Sequence, residues 1–149
     1  MSRAVPWRRA LVWAGLLALL AAALAFIPLF DGLGYESAFV LALAVSFATA
    51  DLGCALALRR RDATNEPGRL VAMLWLTAAL LGLALLAVPL AILSANALRV
   101  RQCDWASGFT MFALLPGLSA GNAATVGVTA GLVLGYRPRL ATGVAIMFV

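Results

Sequence analysis

Long apolar runs separated by short polar connectors dominate this chain. A helix crossing the ~30 Å hydrocarbon core of a bilayer needs about 20 apolar residues at ~1.5 Å of rise each. Residues 10–30 carry no charge, residues 37–58 carry only Asp51, and residues 70–93 carry none. Residues 109–135 are also uncharged, but glycine, serine, threonine and one asparagine punctuate them. A last apolar run, 140–149, reaches about 15 Å as a helix, roughly half the core. The pattern predicts an all-α fold, a polytopic transmembrane helix bundle. Its four spans fall at about 10–30, 37–58, 70–93 and 109–135, with a partial fifth at 140–149, all in one domain. A half-length helix would leave carbonyls unpaired in lipid, so either the segment is a short buried or interfacial piece or, the favoured expectation, the chain is the N-terminal part of a larger protein.

The connectors orient the bundle. Residues 31–36 form a glycine-containing turn, 59–69 an arginine-rich link, 94–107 a longer loop, and 136–139 a short one. Alternating sides places Arg3, Arg8, Arg9, Arg59, Arg60, Arg61, Arg69, Arg137 and Arg139 together, with only Arg99 and Arg101 opposite. Basic residues concentrate on the cytoplasmic side, so the N-terminus is expected in the cytoplasm. Trp7, Trp13 and Tyr136 then mark the cytoplasmic interface, and Tyr35, Phe39, Trp105 and Phe109 the outer one, at the depth amphipathic rings favour. Arg8-Arg9 followed by an alanine-rich run also has the look of a secretory signal. The apolar stretch continues through Phe30, however, which favours an uncleaved span.

Composition narrows the class further. Of the 149 residues 64% are hydrophobic and 11% charged, too little charge to clothe a soluble domain. The formal charge of +5 follows from the orientation rule and gives no argument for nucleic acid. Histidine is absent, which removes bis-histidine haem ligation, His-Glu-x-x-His zinc chemistry and Ser-His catalysis from these residues. Gly117-Leu118-Ser119-Ala120-Gly121 has the spacing of a hydrolase nucleophile elbow, but that motif needs a strand-turn-helix setting and this copy lies inside an apolar run. No catalytic, cofactor or metal site is assigned. The Ala/Leu/Gly/Arg-rich composition without lysine resembles proteins of GC-rich bacterial genomes, which implies a multi-pass protein of the bacterial cytoplasmic (inner) membrane.

Several residues stand out against the apolar background. Ser119, Ala123, Gly127, Gly131 and Gly135 recur every fourth position, as do Ala38, Ala42, Ser46, Ala50 and Cys54. Such ridges let membrane helices approach closely, so spans two and four are expected to form the packed centre. Gly127, Gly131 and Gly135 are the key contacts, and the leucine-rich spans one and three face more lipid. Pro28, Pro89 and Pro116 fall in the outer half, where kinks would either splay the helix ends or simply reflect proline near helix termini. Cys54 and Cys103 lie on opposite sides, too far apart for a disulfide; Cys54 reads as a packing residue and Cys103 as a free loop thiol.

Asp51 is the sharpest functional candidate. It lies about 10 Å inside the cytoplasmic edge of its span, and intramembrane acids often mark ion or proton paths. Ser46, Thr49 and Asn122 would add polar contacts there. The alternative is an acid paired with Arg59 or an N-terminal arginine to hold the bundle. Asn122, in mid-helix, reads as interhelical glue. Arg99 and Arg101, against the orientation rule, form a candidate anion or partner contact, or pair with Asp31, Glu36 or Asp104 in a solvated loop.

Three functions remain on sequence grounds. The first is a membrane domain acting in transport or as an anchor and assembly unit. The second is a complete small scaffold subunit packed against a partner membrane protein or another copy of itself. The third and weakest is an intramembrane enzyme whose catalytic groups lie beyond Val149. Apart from the lipid bilayer, no partner or substrate is specified.

Overall fold

A computed structural model describes residues 6–27, 34–60, 67–100, 105–135 and 137–149. These form five helices: α1 (Trp7–Leu24), α2 (Tyr35–Arg60), α3 (Pro67–Val100), α4 (Trp105–Val133) and α5 (Pro138–Met147). There is no strand among the described residues. The first four helices are long and apolar enough to cross a membrane. The expected spans differ mainly at their ends. In α3 the helix runs through Val100 instead of giving way to a loop at Ser94, because Ser94, Asn96 and Arg99 are polar without being helix breakers. Arg99 therefore sits exposed on the last turn of α3.

α2 is the central element. Of its apolar span 72% is buried, against 22% for α1, 33% for α3 and 39% for α4. Its most extensive contact is with α4, and small residues explain the closeness. A Cβ placed on Gly127 would collide with the carbonyl oxygen of Ala50 and sit 2.8 Å from its Cα. At Gly131 a Cβ would lie 2.6 Å from the Ala57 methyl and 2.8 Å from the Cys54 carbonyl oxygen. Gly53 answers from the α2 side, facing the backbone of Ala124 and Val128. Such backbone-to-backbone packing is the kind that joins helices in a membrane, where lipid supplies no hydrophobic drive for association. Gly135 lies just past the end of α4, in the turn toward α5.

The core divides along α2. Toward its Tyr35 end, Leu17, Ala21 and Leu24 of α1 pack with Leu41, Val45, Leu86, Leu93 and Phe112. Toward its Arg60 end, α3 closes one side through Leu70, Leu74 and Ala78. α5 closes the other side, with Ala141 and Ala145 set against Ala50, Cys54, Ala123 and Ala130. The short helix thus covers the stretch of α2 and α4 where the alanines leave a shallow surface. Pro89 and Pro116 are buried inside continuous helices; Pro28 lies outside the described residues.

Candidate functional site

The first polar site is built on α1 and α2. Arg9 and Trp13 are four residues apart, which puts them on one face of α1, and that face meets Asp51. Arg9 Nη1 donates to Asp51 Oδ1 at 2.9 Å. Trp13 Nε1 donates to Oδ2 at 3.0 Å. Both carboxylate oxygens are therefore engaged, one by a cation and one by a neutral donor. The Asp51 side chain is 11% exposed and that of Arg9 50%. This is a buried acid reached from the bundle surface by a long, flexible cation. An acid in hydrocarbon would cost a few kcal/mol by insertion scales, which the hydrogen bond from the paired cation and the one from the indole would offset.

The partner of Asp51 is thus Arg9, the N-terminal arginine of the structural alternative, and not Arg59. Trp13 was legible only as an interfacial aromatic. The signal that could have found it is the Arg9-x-x-x-Trp13 spacing, two donors on one helical face near a lone buried acid. α1 buries little and is tethered at its far end too, where Asn96 Nδ2 of α3 makes a long 3.5 Å contact to the Ala25 carbonyl. That contact engages one of the carbonyls orphaned where a helix stops.

The other expected polar contacts distribute differently. The Thr49 hydroxyl donates to the Val45 carbonyl of its own helix at 2.8 Å. Thr49 also faces Gly82 of α3, where an added Cβ would strike the Thr49 side chain and approach the Ala120 methyl at 3.2 Å. Gly82 is thus a fourth close-packing glycine and, like Gly53, one that the fourfold ridges did not contain. Ser46 is buried on α2, and with Ser119, Asn122 and Phe148 it lines a small cavity of about 190 Å³. Asn122 itself is exposed, so it does not join Asp51 in one site.

The remaining candidates bring no chemistry together. Ser119 lies within helix α4, with no strand before it to make a nucleophile elbow. Cys54 is buried and free, 3.9 Å from the Thr142 hydroxyl of α5. Among the described residues no cluster of histidine, cysteine or acidic side chains has the arrangement of a metal site. Arg101, Cys103 and Asp104, with Asp31, lie outside the described residues, so the proposed arginine pair has no described geometry. Comparison with known protein families, with characterised proteins and with solved structures returns no match for this chain.

Proposed function

We propose that this chain is an integral membrane domain that anchors and assembles, with Asp51 acting as a clasp between helices and not as a relay. It is a multi-pass unit of a bacterial cytoplasmic membrane with its N-terminus in the cytoplasm, as its arginine distribution and composition favour. The observation that carries this reading is that α1 holds Asp51 by both oxygens: Arg9 donates to one and Trp13 to the other. A carboxylate held at each oxygen by a donor from one neighbouring helix ties α1 to α2 in both position and rotation.

The test replaces the charged pair by an apolar one. Removing one partner of a buried pair strands the other, whereas replacing both by hydrophobic residues is often neutral. Arg9→Leu alone should cost about 1–3 kcal/mol, below the range for fully buried pairs because the arginine is half exposed. Arg9→Leu with Asp51→Leu should recover most of that loss in a detergent unfolding titration. Purified protein reconstituted into vesicles carrying a pH-sensitive dye should show no proton flux attributable to Asp51. A proton flux that the folded double variant loses would sink the anchor reading in favour of transport.

A further inference from the structure

Helix α4 has a second face that the bundle leaves open. Leu114, Leu118, Asn122, Thr125, Thr129 and Val133 are all exposed, and they succeed one another at steps of three and four residues. That is the spacing of a helix–helix seam, in which a single asparagine among apolar positions specifies how the helices pair. The threonine hydroxyls are already engaged. Thr125 donates to the Gly121 carbonyl at 3.3 Å and accepts from Trp75 Nε1 at 3.0 Å. Thr129 donates to the Thr125 carbonyl at 2.7 Å. The Asn122 amide has no hydrogen-bond partner among the described residues.

Asn122 is also the midpoint of the 109–135 span, the depth at which an unmet amide facing lipid would be most costly. We infer that this face of α4 docks on the same face of a second copy, the two Asn122 amides hydrogen-bonding to each other at mid-membrane. Three properties select a second copy. An amide is donor and acceptor in one group, so an identical amide returns both bonds. A two-fold axis along the membrane normal brings one residue onto itself at equal depth. The span is uncharged, so the face meets its own copy without like-charge repulsion.

The inference rests on the reading of the chain as an assembly unit, and its test is separate from the Arg9–Asp51 test. In the full chain with Cys54→Ala and Cys103→Ser, Asn122→Cys should form a disulfide-linked dimer when membranes are oxidised. Leu19→Cys, on the exposed side of α1 (69% exposed), should not. Asn122→Leu should weaken self-association by about 3- to 20-fold, the range for one interhelical side-chain bond in a membrane, and Asn122→Gln should retain it. Three results overturn the inference: monomers at every protein-to-lipid ratio, equal crosslinking from Leu19→Cys, or undiminished association of Asn122→Leu. A monomer whose Asn122→Cys thiol is shielded from a lipid-soluble maleimide assigns the face to a different helix; it also overturns the second copy, while leaving the clasp result standing.

Discussion

Replacing Gly127 by alanine adds one methyl group at the tightest point between α2 and α4. That methyl would sit 2.8 Å from the Ala50 Cα and 2.9 Å from its carbonyl carbon, whereas non-bonded carbons prefer ~3.5–4.0 Å. The obstacle is backbone and has no rotamer to escape into, so the helices must part by roughly 1 Å. A gap of that size forfeits a quarter to a half of the dispersion attraction of the atoms it separates, along the most extensive contact in the bundle. Overpacking of this kind costs about 1–3 kcal/mol. It outweighs the gain, up to ~1 kcal/mol, from replacing glycine by alanine inside a helix. Gly121→Ala and Gly15→Ala are the controls, since a Cβ at either position meets nothing within 4 Å; both should be neutral or mildly stabilising. Denaturant titration of purified protein in micelles, followed by circular dichroism, measures all three. Gly127→Ala as stable as the native chain, or a Gly121→Ala protein equally weakened, would refute the argument from close approach.

Three further outcomes follow from the packing and the arginine distribution. Gly82→Ala should destabilise by about 1 kcal/mol or more because its methyl strikes the Thr49 side chain, and Thr49→Ala in the same chain should restore most of the loss; absence of rescue would mean the obstacle lies elsewhere. Ala145→Leu should lift α5 from its seat, since Ala145 is fully buried. In a Cys103→Ser background it should therefore raise alkylation of Cys54, which α5 touches through Thr142; unchanged protection would count against α5 as the cover. In intact cells a membrane-impermeant maleimide should label Cys103 and leave Cys54 untouched, while labelling of Cys103 only after lysis would reverse the orientation.

The arginine-rich link at 59–69 shows what local pattern can carry. It interrupts two apolar runs, and a change from apolar to charged residues ends a span whatever surrounds it. The end of α3 shows the limit, because Ser94, Asn96 and Arg99 lower hydropathy without breaking a helix, and the helix runs on to Val100. The glycines of α4 were legible as a ridge; Gly82 was not, because an isolated glycine acquires meaning only from the residue placed opposite it.

The sequence by itself determined the number, approximate length and apolar character of the helices, since each follows from residues adjacent in the chain. It also marked Asp51 and Asn122 as polar groups inside long apolar runs. Only the tertiary structure decided their fates: Asp51 was drawn inward, between Arg9 and Trp13 of α1, and Asn122 was turned outward on the open face of α4. The physical reason is that a partner is a matter of helix rotation and contact. These depend on which small residues allow two backbones to meet, here Gly127 and Gly131 against α2, and once that contact sets the rotation of α4 its opposite side is left exposed.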